Sequence, residues 1–437
     1  MQGIKRITGG VLGMLSVWAA ADPMDLLQIY HVALTNNSTY QAAYETYQAQ
    51  EDQIGISRAA LLPQLTMAAT YTYNNNESEN GNTTSRVLNP TLTLTQQVIN
   101  VADWRTYSEA EANAELAAVT YATALQSLIY EVSTQYFTVL NDQAQLRYDH
   151  ENALAEERTL EQTEAQYKVG LNAEKDVLSA KAAYESAVAQ VSSDQALMEN
   201  DLETLNSYTG TVIQSIADIQ PNFPLIKPSP SDPELWANRA QIMNLAVQAQ
   251  KMQAKVNALG VQVAAAGFLP TASLSLEGSK SFVSSDNSRR EDNSAWIGSV
   301  TGTYNIFSSG ATVFSVASAE DTYQSAALSL VQTERNAKSS VTQDYLSVLS
   351  DLDQIDAYHQ AVIAAQSAVD ATFAGYKVGT ETIVDLLKQQ ATLFQSQSNY
   401  AKATFSYIKD SITLKRDTGV LTEQDVVALN SWLVSSK

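Results

Sequence analysis

Two periodicities alternate along this chain. Around residue 130, Leu125, Leu128, Ile129, Val132, Tyr136, Val139 and Leu140 fall three and four positions apart, which places them on one face of a helix. Residues 102–166 hold no glycine or proline, and they are rich in Ala, Gln, Glu, Leu and Ser, mostly good or tolerated helix residues. A continuous helix of that length is roughly 100 Å long. A globular domain has no use for such a rod; a coiled-coil tube does. Elsewhere the period is two. Leu65, Met67, Ala69, Tyr71 and Tyr73 alternate with polar or small residues, residues 74–85 read as a polar turn, and Leu88, Leu92 and Leu94 then alternate with Asn89, Thr91, Thr93 and Thr95. Further on, Ala272, Leu274 and Leu276 alternate with Ser273, Ser275 and Glu277. Residues 284–293 read as a polar loop, after which Trp296, Val300, Tyr304 and Ile306 resume the alternation. Segments of about ten residues, apolar on one side and polar on the other, with long loops and terminal aromatics, have the pattern of transmembrane barrel strands. Any half-buried hairpin shares the alternation, so it leaves a soluble hairpin open.

The pattern occurs twice. Ala59-Ala60-Leu61-Leu62-Pro63 matches Ala266-Gly267-Phe268-Leu269-Pro270 at an offset of 207. Val132-Ser133-Thr134-Gln135-Tyr136-Phe137-Thr138-Val139-Leu140 matches Val341-Thr342-Gln343-Asp344-Tyr345-Leu346-Ser347-Val348-Leu349 at 209, and Tyr167-Lys168-Val169-Gly170-Leu171 matches Tyr376-Lys377-Val378-Gly379-Thr380 at the same 209. Three matches in one order at nearly one offset mean a duplicated architectural half, since solenoid periods run only about 20–50 residues. Five of the nine prolines (Pro221, Pro224, Pro228, Pro230, Pro233) crowd between the halves and read as a linker.

Composition narrows the setting. Lys5 and Arg6, the apolar run 7–18 and Ala19-Ala20-Ala21 before Asp22 read as a secretory signal peptide, residues 1–21. No apolar run after it approaches the roughly 18 residues of a spanning helix. A membrane passage by this chain would therefore be a closed barrel, whose backbone groups are paired internally. Four strands cannot close one, because about eight are needed; several copies must share the barrel. The chain has no cysteine, so neither disulfides nor thiolate metal sites hold it. A net charge of −21 argues against nucleic acid and anionic lipid headgroups as partners, although plain solubility accounts for it equally well. His31, His150 and His359 are scattered, and no phosphate loop or nucleophile elbow is present, so neither catalysis, a cofactor nor a metal site is expected.

The order of helix, strand pair, long helical hairpin, linker, and the same again resembles the TolC family of outer-membrane efflux proteins. The most specific stretches are Tyr376-Lys377-Val378-Gly379-Thr380-Glu381-Thr382-Ile383-Val384-Asp385-Leu386-Leu387 and Gly419-Val420-Leu421-Thr422-Glu423-Gln424-Asp425. The resemblance implies a mainly α fold with a transmembrane β-barrel, four strands per chain, and a homotrimer forming a twelve-stranded barrel above a long α-helical barrel. The halves then span 22–220 (a helix, strand pair 64–98, helical hairpin 101–208) and 234–437 (a helix, strand pair 270–307, helical hairpin 311–418, a C-terminal equatorial segment), joined by the linker 221–233. It further implies a place in the Gram-negative outer membrane, in contact with its lipid, with a long periplasmic extension. The implied partners are a membrane-fusion adaptor and an inner-membrane pump, with drugs or secreted proteins passing through without chemistry. The alternative is a periplasmic coiled-coil scaffold with no pore.

The same resemblance assigns roles at the hairpin tips. Val169, Gly170 and Leu171, and Val378, Gly379 and Thr380, are expected to receive the adaptor; a helix-ending glycine and nothing more is the competing reading of Gly170 and Gly379. Asp385 matches an aspartate that rings the closed entrance, but Lys388 stands where the family's best-known member has a second aspartate. That makes a mixed-charge constriction possible in place of an acidic ring. Tyr376 is retained at a lock position. Lys175 and Asp176 replace a threonine–aspartate pair and Glu381 replaces an arginine, so the lock's charges read as reversed, with Lys175 able to pair with Glu381.

Overall fold

The computed structural model describes residues 23–78, 81–221, 223–285 and 288–434; the segment read as a signal peptide, 1–21, lies outside them. The first half runs α1 (Leu26–Asn36), α2 (Ser38–Ala59), β1 (Gln64–Ser78), β2 (Gly81–Ile99), α3 (Val101–Lys168) and α4 (Glu174–Thr209). The second repeats that order as α5 (Pro233–Met243), α6 (Leu245–Ala265), a single 3₁₀ turn (Ala266–Phe268), β3 (Thr271–Ser285), β4 (Ser288–Thr303), α7 (Ala311–Val378) and α8 (Ile383–Thr418), and then adds α9 (Glu423–Asn430). The long helices have equal lengths in the two halves, 68 residues for α3 and α7 and 36 for α4 and α8.

Where one helix was expected ahead of each strand pair, there are two. Asn37 takes an extended backbone, ends α1 and caps α2, its side-chain oxygen accepting from the Tyr40 N–H at 2.9 Å. Asn244 does the same between α5 and α6, accepting from the Ala246 and Val247 N–H groups. An asparagine at an interruption satisfies amide groups that the new helix leaves unpaired. Both amides also donate across the fold to the ends of the long hairpins, Asn37 Nδ2 to Tyr208 O at 3.1 Å and Asn244 Nδ2 to Asp417 O at 2.7 Å. The break thus fixes where the short helices dock.

The strands form one antiparallel sheet in the order β1-β2-β3-β4. Its register sorts the side chains by polarity. Leu65 lies opposite Leu94, which faces Leu276; the next row of the same face runs Met67, Leu92, Gly278, Trp296. The alternate rows run Thr66, Thr93, Glu277, Ile297 and Ala68, Thr91, Ser279, Ala295. One face is therefore mainly apolar and the other largely polar, with Val87, Val283 and Ile297 among the exceptions. The apolar face is bare: Met67 is 77% and Trp296 73% exposed. Gly278 makes room for the indole, because a Cβ there would lie 2.8 Å from the Trp296 ring. The strands are 15 to 19 residues long, more than the ten or so expected, and residues 74–78, 81–85, 284–285 and 288–293 of the polar stretches read as turns belong to them. Asn74 pairs with Ser85, and Phe282 with Asp292. Ladder bonds join backbone groups and are indifferent to side-chain polarity.

The main core sits midway along the long helices. The stripe read from the sequence is its centre: Leu128, Ile129, Val132, Tyr136, Val139 and Leu140 are buried and Leu125 packs against them. Segments near the two ends of the described residues close over it. Met24 and Ile216 form a parallel bridge, Ile219 and Leu433 an antiparallel one, and the buried Tyr136 hydroxyl donates to Ala217 O at 2.7 Å. Away from this belt the helices bury mostly small groups, such as Ala110 and Ala114 toward the sheet and Ala153, Thr163 and Ala180 toward the tips.

The end of α8 touches the α5–α6 break closely enough to test. Gly419 has φ +83°, and a Cβ there would lie 2.0 Å from Met243 O. Gly379 has φ +81° but open space around it. Gly379→Ala should cost about 1 kcal/mol of left-handed strain, and Gly419→Ala more than about 2 kcal/mol because backbone must also move. Unfolding of the purified protein in denaturant should rank the two variants in that order.

Candidate functional site at the hairpin tips

Each long hairpin turns on a glycine. At the first tip the N–H of Gly170, φ +78°, bonds to Tyr167 O at 2.9 Å, and that of Leu171 reaches back to Gln166 O at 2.9 Å. At the second, Gly379 N–H bonds to Tyr376 O at 3.2 Å and Thr380 N–H to Gly375 O at 3.0 Å. This is the left-handed helix ending that glycine adopts without strain. The following helices start on side-chain caps. Asp176 accepts from Ala173 N–H at 3.2 Å, and Thr382 and Asp385 form a reciprocal capping box. Such sharp turns leave their apolar residues bare: Val169 is 70%, Leu171 75% and Val378 75% exposed. Thr380 is exposed as well.

The two tips meet across a cleft of about 580 Å³, and Leu171, Lys175, Asp176, Tyr376, Val378, Gly379 and Glu381 line it. Seven of the twelve residues singled out from the sequence are thereby brought to one place. Val169, Gly170, Thr380, Asp385 and Lys388 are not among its lining residues. At the tips the hairpins are joined by Tyr376, whose hydroxyl donates to Gln166 Oε1 at 2.7 Å. Asn172 Nδ2 donates to the same oxygen at 2.8 Å. Among the described residues no ion pair joins Lys175 to Glu381. Glu381 instead lies against α7, with its Cγ 2.6 Å from where a Cβ on Gly375 would be.

Asp385 has a local task. Its Oδ2 accepts from the Thr382 hydroxyl at 2.5 Å and from the Thr382 N–H at 3.1 Å. These bonds, the hydroxyl first, hold its carboxyl below the usual aspartate range, with the nearby Lys388 adding to the effect. The carboxylate stays charged, at the start of a helix where the dipole also favours it.

Gln166, Asn172 and Gly375 were missed from the sequence. The duplication held a signal for two of them, because Gln166 and Gly375 are equivalent at the offset of 209. One tip has an amide acceptor where the other has empty space, and the first receives Tyr376 while the second receives Glu381.

Comparison with known proteins bears on the whole chain. The family described as outer membrane efflux protein matches residues 29–211 and 234–420, one match in each half. The chain is 31% identical to the outer membrane protein TolC of Vibrio cholerae over 99% of both chains. It is 25% identical to the alkaline protease secretion protein AprF of Pseudomonas aeruginosa over 95% of this chain and 88% of that one. The fold matches the Campylobacter jejuni CmeC outer membrane channel with a TM-score of 0.79 at 17% identity, over 98% of each chain. With a match in each duplicated half and relatives aligned end to end, the chain belongs to the outer membrane efflux protein family.

Proposed function

We propose that this chain is one protomer of a passive exit duct through the Gram-negative outer membrane, serving efflux or type I secretion. The observation that carries this reading is the open four-stranded sheet, apolar on one face and mostly polar on the other, with β1 and β4 as its edges. An apolar band outside and a polar interior are what a lipid-embedded, water-lined barrel requires. Among the described residues no helix is long and apolar enough to cross a membrane, which leaves the sheet as the spanning element. Pairing β4 of one copy with β1 of the next, three times over, closes a barrel of twelve strands, and the four long helices of each copy then continue as a helical barrel in the periplasm. Bare apolar residues along those helices, Leu328 at 70% and Leu346 at 56% exposed, support contacts between copies. Family relatives that include TolC and a protease secretion protein support the cargo classes and an adaptor-and-pump assembly.

At the tips, the exposed Val169, Leu171 and Val378 offer the adaptor an apolar surface beside Gly170, Gly379 and Thr380. The cleft is the gate. Tyr376–Gln166 ties the two hairpins of one copy, while Lys175 and Glu381, which make no ion pair among the described residues, are left for contacts between copies. Asp385 and Lys388 then set a mixed-charge rim whose preference for cations is weaker than that of a purely acidic ring. The scaffold alternative explains the long helices but not a bare apolar sheet face.

Two measurements test these readings. Outer-membrane fractions extracted in detergent without boiling should migrate as a trimer, and boiling should reduce it to the monomer; recovery of the mature protein wholly in the soluble periplasm would sink the duct. In planar bilayers, Tyr376→Phe should raise single-channel conductance by freeing one tip from the other. Lys175→Glu should do so too. Each exposed pair contributes only about 0–1 kcal/mol, so the effect rests on threefold repetition. Unchanged conductance in Lys175→Glu would remove the charge-reversed lock and leave the Tyr376 link standing.

A further inference from the structure

Far from the tips, the seams of both helical hairpins hold aspartates that face aspartates. Asp142 of α3 meets Asp201 of α4, and one heptad along, Asp149 meets Asp194. In the second hairpin Asp344 of α7 meets Asp417 of α8, and one heptad along, Asp351 meets Asp410. Moving seven residues up one helix and seven down its antiparallel partner returns to the same seam, so each hairpin carries two rungs of a ladder. The duplication preserves one rung: Asp142 and Asp201 become Asp351 and Asp410 at the offset of 209.

Each rung sets an acceptor against an acceptor. The Oδ2 atoms of Asp142, Asp194, Asp344 and Asp351 are buried and have no hydrogen-bond donor among the described residues. Asp142 is only 5% exposed, Asp194 7% and Asp351 8%. Several of the remaining oxygens are served: Asn141 Nδ2 donates to Asp142 Oδ1 at 3.2 Å, Gln135 Nε2 to Asp201 Oδ1 at 3.0 Å, Gln190 Nε2 to Asp194 Oδ1 at 3.0 Å and Arg416 Nε to Asp417 Oδ1 at 2.6 Å. What is missing is one donor per rung, between two carboxyl groups. A divalent cation fits poorly, because calcium takes about six to eight oxygens and no cluster of three or more such ligands is present among the described residues. Lys409 near Asp142 and Lys402 near Asp194 act only as neighbouring charges, since neither makes an ion pair among the described residues. A proton fits: one carboxyl keeps its O–H and donates it to the facing carboxylate, leaving a single negative charge per rung.

We propose that the four aspartate pairs are proton-binding rungs, each sharing one proton that clamps the two helices of a hairpin, and that loss of these protons loosens the hairpins. Burial, followed by the facing carboxyl, pushes Asp142, Asp344 and Asp351 up to about 7 and Asp194 up to about 6 from an ordinary 3.8. Opposing charges face the rungs from α8: Lys409 at Asp142, Lys402 at Asp194 and Arg416 at Asp344 hold the rise back, while Asp410 adds to it at Asp344 and Asp351. A carboxyl raised in the fold contributes stability that is full below its ordinary value and lost as pH climbs through its folded one. The clamp is therefore closed in mild acid and released between about pH 6 and 8.

The test is infrared spectroscopy of the full-length protein in lipid, with hydrogen exchange alongside. The wild type should show the carbonyl band of protonated carboxyl groups at about pH 5.5, losing it by about pH 8.5. Asp142→Asn with Asp351→Asn should lose about two fifths of that band, because an amide supplies the missing donor permanently without titrating, while Glu156, pushed up to about 7 by burial, adds a fifth protonated carboxyl. Amides of residues 135–150 and 344–352 should exchange roughly tenfold faster, after correction for intrinsic rates, at the alkaline end in the wild type. In the variant with Asn at Asp142, Asp194, Asp344 and Asp351 they should not. If those replacements block assembly, Asp149→Asn, Asp201→Asn, Asp410→Asn and Asp417→Asn together supply the four donors from the facing helices. A band that disappears already in the ordinary aspartate range, no change in exchange with pH, or a band removed by added calcium and restored by chelator would each overturn the proposal.

Discussion

The outer edges of β1 and β4 are the constraint on which the rest of this molecule depends. Each presents a row of backbone N–H and C=O groups without a partner strand among the described residues. In water such an edge is a hazard of aggregation; in hydrocarbon it is unaffordable, since every unpaired group costs several kcal/mol. The bare apolar face is what places the sheet in hydrocarbon in the duct proposed above. There, closure around a ring of copies would satisfy both facts together, and such a ring would set how the helices below stand side by side.

The helical part is built to be completed. A belt of large side chains around Tyr136, Phe137 and Tyr407 holds one copy together at mid-height. Above and below that belt the arms bury alanines and threonines, which let helices approach closely but bury little apolar area per residue. Large apolar residues such as Phe314, at 72% exposed, remain uncovered within one chain. The seams also carry carboxyl pairs where a hydrophobic pair would bury more apolar area. Buried polar groups of this kind fix register at the expense of stability.

The two tips show what duplication leaves free to change. Both keep the same left-handed glycine ending, because a tight helix reversal demands it. Their neighbours have diverged. Gln166 gives one tip an acceptor for the Tyr376 hydroxyl, and Gly375 gives the other a space into which Glu381 folds. A symmetric sequence pattern thus ends in an asymmetric cleft.

The sequence alone determined the kinds of element and where the main core lies, because helix and strand periods are written in consecutive residues. The stripe from Leu125 to Leu140 names the core, and the alternation from Leu65 to Tyr73 names a strand. The family resemblance also expected Tyr376, Lys175 and Glu381 near one another, and they line one cleft. The sequence did not reveal that the polar residues 74–78 and 288–293 are strand, since backbone pairing leaves no mark on side-chain polarity. Nor did it reveal that Tyr376 bonds Gln166, that Glu381 folds onto Gly375, or that Asp142 faces Asp201. Those depend on the distance and register between helices far apart in sequence, set by the packing of the whole hairpin, and only the tertiary structure decides them.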